Sequence, residues 1–169
     1  MGSKRPEDGK EEAKRKKEIN YVVNALLLNN NEIRELTGFK ETLSLYVLHE
    51  PDRLQWLNLS YNYLVKIDPE ILEFKQLKSL QLQGNFIADL EEVRKLQDME
   101  YIQMLTLNGN PIEEIKGYRL YVLGLMFMKY ASLRKLDTVI ISNTEYDNVL
   151  VWNERLYAGM TKKLKKLRP

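Results

Sequence analysis

Leu54-Gln55-Trp56-Leu57-Asn58-Leu59-Ser60-Tyr61-Asn62-Tyr63-Leu64 is the stretch that decides the fold. Apolar residues stand at its positions one, four, six and eleven, and an Asn stands at position nine. The same spacing returns as Val23, Leu26, Leu28, Asn31, Ile33, as Leu77, Leu80, Leu82, Asn85, Ile87, and as Ile102, Leu105, Leu107, Asn110, Ile112. A fifth copy begins at Leu133 and Leu136 and then fails, with Ile141 in place of the Asn. Four copies with every slot filled are an internal repeat. Alternate residues of a short strand face the same way, so positions four and six enter a core while three, five and seven face out. The Asn ends the strand, and its side-chain amide is suited to binding turn backbone and joining successive coils. One such unit cannot bury its own apolar edge, so the units must stack into a curved solenoid with a parallel sheet on its concave face.

The return segments follow from the spacing of the Asn residues, 31, 23 and 25. Repeats this short leave no room for a long helix. Ile87, Leu90, Val93 and Leu96 recur every third residue, which suits a 3₁₀-like or single-turn convex side. The longest interval has more space, and Phe39, Leu43 and Val47 before Pro51 predict a helix over 39–49. Gly117-Tyr118-Arg119-Leu120-Tyr121-Val122-Leu123 opens a richly apolar helix, expected to run to about Lys129 and to cap the open end. At the other end, Ile19, Tyr21 and Val22 are expected to shield the first coil, aided by a marginal helix over 7–18. Three units are expected: a charged extension over 1–18, the repeat domain with its cap over 19–140, and an extension with a basic tail over 141–169. In the last, Tyr146, Val149, Trp152 and Leu156 form a stripe that either packs back on the cap or docks on a neighbour.

Composition narrows the chemistry. The chain has 169 residues, 28 of them Leu and 13 Asn, with no Cys and one His. Disulfides, zinc–thiolate sites and cysteine nucleophiles are excluded, and His49 is expected to end a helix rather than act as a base. Glu91-Glu92 and Glu113-Glu114 lie in turn or convex segments and read as solvated surface, not as acid/base pairs. Gly84 and Gly109 sit in repeat turns, not in a nucleotide-binding loop. No enzyme activity, cofactor or metal is expected. A charged start and no long apolar run predict an intracellular protein without a membrane segment. The net charge of +2 hides a segregation: residues 19–160 hold 19 acidic and 14 basic groups, whereas 161–169 hold five basic groups and no acid. The tail, Lys162, Lys163, Lys165, Lys166 and Arg168, has three open readings: contact with an acidic surface, contact with nucleic acid, or simple solvation. Nucleic-acid binding by the acidic body is not expected.

The outward positions make a candidate binding face. They include Ala25, Trp56, Ser79 and Met104 at position three, Leu27, Asn58, Gln81 and Thr106 at five, and Asn29, Ser60, Gln83 and Asn108 at seven, with Tyr61 beside them. This face is nearly free of charge in a chain that is 30% charged. Leu27, Trp56, Asn58, Tyr61, Gln81, Gln83, Met104, Thr106 and Asn108 are therefore the expected protein-binding residues, with Trp56 and Tyr61 as anchors. Burying one such ring contributes on the order of 2 to 4 kcal/mol. The competing reading is that Trp56 packs only on its own sheet.

With these residues in view, the chain resembles the intracellular short leucine-rich-repeat proteins, a group that includes a regulator of protein phosphatase 1. Asn110-Pro111, Tyr118-Arg119-Leu120-Tyr121-Val122 and Leu136-Asp137 resemble the C-terminal cap of that group. The resemblance spans roughly 20–140 and weakens from Thr138 onward, and it implies an α/β leucine-rich-repeat solenoid with a 3₁₀/helical convex side and a helical cap. It also implies a non-enzymatic scaffold or adaptor whose relatives belong to ciliated cells, hence other proteins as partners within an axonemal assembly of cilium or flagellum. Two alternatives stay open. A spliceosomal member of the class shares the Tyr-Arg-Leu-Tyr-Val cap, which implies a nuclear ribonucleoprotein component, and the phosphatase regulator implies a phosphatase subunit.

Overall fold

The computed structural model describes residues 23–47 and 50–166, the side chains only as far as 155. The expected extension over 1–18, the shield of Ile19, Tyr21 and Val22, His49 and Arg168 lie outside the described residues. Each complete repeat contributes one three-residue strand: β1 (Ala25–Leu27), β2 (Trp56–Asn58), β3 (Ser79–Gln81) and β4 (Met104–Thr106). These pair in parallel and in strict register, Ala25 beside Trp56, Trp56 beside Ser79, Ser79 beside Met104. The incomplete fifth repeat still supplies β5 (Lys135–Leu136), parallel to β4, and the chain then turns back into an antiparallel β6 (Val139–Ile140). That turn was not legible in the pattern.

The convex side is built from short pieces. The helix expected over 39–49 is α1 (Phe39–Tyr46), ended by Val47. A 3₁₀ turn covers Pro69–Glu73, and the three-residue rhythm from Ile87 to Leu96 becomes α2 (Glu91–Arg94) running into a 3₁₀ turn over Lys95–Asp98. Leu57, Leu80 and Leu105 from the strands, with Leu59, Leu82 and Leu107 just after them, meet Ile67, Ile71, Phe74, Val93 and Leu96 from this side in one core, all fully buried. Each such side chain contributes roughly 1.5 to 3 kcal/mol by leaving water.

The Asn residues bind the coils as their spacing requires. Asn85 accepts from Leu64 N–H at 3.0 Å and donates to the carbonyls of Leu59 and Leu82 at 3.0 and 2.9 Å. Asn62 and Asn110 do the same one coil before and after, accepting from Ile33 and Ile87. Asn31 is exposed and, among the described residues, donates only within its own turn. Position eight needs left-handed backbone, and Asn30, Tyr61, Gly84 and Gly109 occupy it with φ of 58°, 53°, 67° and 71°. Tyr61 is the costly choice, because a side chain with a Cβ resists this region.

The open end is closed by α3 (Tyr118–Phe127) and α4 (Asn143–Lys166). Where the Asn ladder fails, Asp137 takes over: its Oδ1 accepts from the Leu107 and Asn108 N–H groups at 2.7 and 2.9 Å, and Tyr118 O–H donates to its Oδ2 at 3.2 Å. Burial, with Asp137 beside it, pushes the Tyr118 phenol well above its usual range. α4 begins with a capping box, Ser142 Oγ accepting from Glu145 N–H at 3.2 Å and Glu145 Oε2 accepting from Ser142 N–H at 3.1 Å. Of the two readings of its apolar stripe, packing back on the cap is the one seen for Tyr146, Val149 and Trp152. Tyr146 meets Phe127, Trp152 meets Tyr121 edge-on, and Val149 is fully buried. No described helix is long and apolar enough to cross a membrane.

A candidate protein-binding face on the concave sheet

The concave groove is shaped by one backbone device repeated along the solenoid. The carbonyl at position two of each coil accepts both the position-two and position-three N–H groups of the next. Asn24 accepts from Gln55 and Trp56, Gln55 from Lys78 and Ser79, Lys78 from Gln103 and Met104, and Gln103 from Arg134 and Lys135, all between 2.8 and 3.0 Å. These bonds hold positions two and three of every coil as two parallel rows. Between them lies a groove of about 260 Å³, lined by Asn24, Ala25, Gln55, Trp56, Lys78, Ser79, Gln103 and Met104.

The residues expected to bind protein are distributed over this face unevenly. Leu27 is 64% exposed, Tyr61 56% and Trp56 41%. Asn58, Gln81, Gln83, Met104 and Asn108 are half-buried. Thr106 is buried, and its hydroxyl donates to Gln83 Oε1. Ser60 and Ser79, expected to face out, are also buried. Ser60 turns onto Asn58 Oδ1, which accepts from its N–H at 3.0 Å and its O–H at 2.6 Å. Ser79 is small and lies between two large neighbours, and its Oγ is one of two buried side-chain atoms with no hydrogen-bond partner among the described residues. Tyr61 lies at the turn edge rather than in the groove: a Cβ at Gly84 would stand 2.5 Å from its ring. Beside it on the same edge, Tyr63 stacks on Phe86 at 5.7 Å with Arg34 over its ring, a ridge the repeat pattern did not single out. The tail residues Lys162, Lys163, Lys165 and Lys166 fall on the last turns of α4.

The nearly uncharged face gains cations at one end. Because β5 forms despite the failed repeat, Lys135 stands beside Met104 in the sheet, and Lys78 and Arg134 stand exposed along the position-two row. Of the convex acids expected to be solvated surface, Glu91, Glu113 and Glu114 are exposed, whereas Glu92 is half-buried and holds backbone. Glu92 Oε2 accepts from Ile67 N–H at 2.7 Å and from Lys95 Nζ at 2.6 Å. Glu113 Oε2 accepts from Gly109 N–H at 2.6 Å. Glu91 stays exposed, pairs with Arg94 and accepts from Tyr121 O–H, and the Arg94 hydrogen bond, then that of Tyr121, lowers its pKa to about 2. Glu92 and Glu91 thus join neighbouring segments, through Ile67 and Tyr121, while Glu113 closes its own turn.

Comparison with known proteins agrees with this architecture. A family model described as Leucine rich repeat matches residues 52–112. Leucine-rich repeat-containing protein 51 of Macaca mulatta is 43% identical over 118 residues, covering 70% of this chain and 61% of that protein. The protein of the same name from Rattus norvegicus is 43% identical over 121 residues, 72% of this chain and 62% of that one. The chain thus spans about three fifths of the length of these relatives. In the crystal structure of the Drosophila melanogaster SNF/U2A' complex, a chain 22% identical superposes with a TM-score of 0.62, covering 80% of this chain and 74% of that one, a likeness of fold. Strand register, Asn ladder and these similarities make the chain a leucine-rich-repeat solenoid, similar over 118 residues to a protein named leucine-rich repeat-containing protein 51.

Proposed function

We propose that this chain is a non-catalytic adaptor that clasps another protein on its concave sheet. Leucine-rich-repeat proteins serve as protein-interaction scaffolds, and the observation that supports the role here is the composition of the groove. Trp56 stands 41% exposed on a rigid, hydrogen-bonded sheet. Its surroundings are mostly amides and small or apolar side chains, with Lys78 as the one charge in the groove lining, close to the makeup of an interface core. Rigid strands hold such an anchor in place without an ordering cost on binding.

The assembly we propose is an axonemal one, in cilium or flagellum, with the chain as a structural component. The support is the resemblance of its repeats and cap to proteins of ciliated cells. Two measurements test the pair of claims. Trp56→Ala with Tyr61→Asn, an exchange that keeps a residue tolerant of positive φ, is expected to weaken partner capture at least about tenfold while the domain stays folded. Unchanged capture by the folded double variant contradicts the concave-face role. Tagged protein is expected along axonemes. Concentration in nuclei with ribonucleoproteins, or co-purification of phosphatase activity, contradicts the axonemal role.

A further inference from the structure

Positions two and three of the five parallel coils read Asn24-Ala25, Gln55-Trp56, Lys78-Ser79, Gln103-Met104 and Arg134-Lys135. This surface carries three cations and no carboxylate, on a body where acids outnumber bases 19 to 14. Asp137 at position five of the last coil is used by Leu107, Asn108 and Tyr118, and Glu50 and Asp52, which line a pocket with Asn24 and Gln55 at the other end, are paired with Arg53 and Lys40. Among the described residues Lys78, Arg134 and Lys135 make no ion pair, whereas Lys40, Arg53, Arg94, Lys95, Arg119 and Lys129 each do. Arg34, Lys66, Lys75, Lys116 and Arg155 also make none among the described residues, so what sets the groove apart is that three such cations share positions two and three with no carboxylate between them.

The floor of the groove adds a shape. Ser79 stands in register between Trp56 and Met104. Neighbouring strands lie about 4.8 Å apart, so the two large residues rise from backbones roughly 10 Å apart with only a hydroxymethyl group between them. Ser79 is itself buried and its Oγ is enclosed, so the place for a ring is the groove that Trp56, Ser79 and Met104 line together rather than a gap reaching down to the hydroxyl. The groove walls there are the indole of Trp56 and the thioether of Met104, both of which favour aromatic contact.

We infer that the groove takes an acidic segment of a protein partner. One aromatic side chain of that segment seats between Trp56 and Met104 above Ser79, and its carboxylates meet Lys78, Arg134 and Lys135. The assignment rests on the concave sheet being the binding face and adds the chemistry of what it binds. Charge at the rim sets attraction and salt dependence, and the seated ring sets register.

Three fluorescein-labelled dodecapeptides test it, each with one central Tyr flanked by Glu, Gln or Lys, beside a Glu-flanked control with Ala at the centre, with affinity read by anisotropy at low and high salt. The Glu-flanked peptide is expected to bind at least about tenfold more tightly than the Gln-flanked one at low salt, and the difference is expected to shrink as salt rises. In the K78E/R134E/K135E variant the preference is expected to pass to the Lys-flanked peptide, and Ser79→Leu, which fills that part of the groove, is expected to remove the benefit of Tyr over Ala at the centre. Circular dichroism checks that each variant is folded. Equal Kd values for all three peptides, or no binding of any, overturn the acidic-partner assignment. If Trp56→Ala still weakens all three equally binding peptides, the concave face stands and only its charge preference falls. If no concave substitution alters any Kd while binding persists, both readings fall.

Discussion

Asn62, Asn85 and Asn110 occupy one slot of the repeat and carry the same duty, which makes their removal a measured test of the solenoid. Replacing Asn85 with Ala leaves Leu64 N–H without an acceptor and removes the donor to the buried Leu59 and Leu82 carbonyls. An unsatisfied buried group costs about 1 to 3 kcal/mol, so Asn85→Ala is expected to lower stability by about 3 kcal/mol in urea unfolding. Asn31→Ala, in the same slot but exposed, is expected to cost under about 1 kcal/mol. Equal losses at 31 and 85 contradict the ladder. These roles were legible because a period of identical spacing names its own special residue. Tyr61 was legible as an aromatic, yet its backbone was not: the φ of 53° emerges only when four coils align Asn30, Tyr61, Gly84 and Gly109. Ser60 and Ser79 stand at outward positions and are nonetheless buried, for a related reason. Alternation assigns a face, but burial depends on the size of neighbours in the next coil.

At the scale of elements, the contact between α3 and α4 is the join that spacing alone left open. Gly124 sits mid-helix in α3, where Gly costs about 1 kcal/mol relative to Ala. It is there because the Trp152 ring of α4 packs directly against it, and because Asn153 Nδ2 donates to its carbonyl at 3.2 Å. Gly124→Ala improves helix propensity and still is expected to loosen α4, seen as faster amide exchange along 143–155 than in the parent chain. Unchanged exchange contradicts the close approach. The same join carries a carboxylate with a lowered pKa: Glu145, held down first by the Arg119 guanidinium, whose Nε donates to it at 2.7 Å. A carboxyl lowered in the folded state stabilises fully above its ordinary value of 4.5, and the contribution is lost as pH falls through the folded value. In a Trp56→Phe background, Trp152 fluorescence is expected to report α4 loosening on acidification below pH 4.5, with the effect reduced in Glu145→Gln. An identical acid transition in both contradicts a role for the pair. Ser142 and Glu145, three residues apart, were a readable capping box ahead of Tyr146, Val149 and Trp152, so the start of α4 was present in the sequence. Its direction of packing was not, since a helical stripe states what is buried and not against what.

For the whole molecule, curvature places a rigid, weakly charged sheet inside the horseshoe and the acids outside it. The fold was almost fully legible, because a solenoid is one unit stacked on itself and four copies repeat the same instruction. The candidate face was legible for the complete coils and truncated at the fifth, whose missing Asn hid a strand that forms anyway and adds Lys135 beside Arg134. Charge segregation also predicts a second contact. Deleting 161–169, with its five basic groups, is expected to reduce retention on axonemes more at low than at high salt, and equal retention at every ionic strength contradicts that contact. The concave face itself is best examined by a photoreactive benzophenone side chain introduced either at Gln81, at the middle of the sheet, or at Glu114, exposed on the convex side. In ciliated cells, irradiation is expected to yield a discrete adduct from position 81 and none from 114. An adduct from 114 alone, or the same adduct from both, contradicts a partner held in the groove.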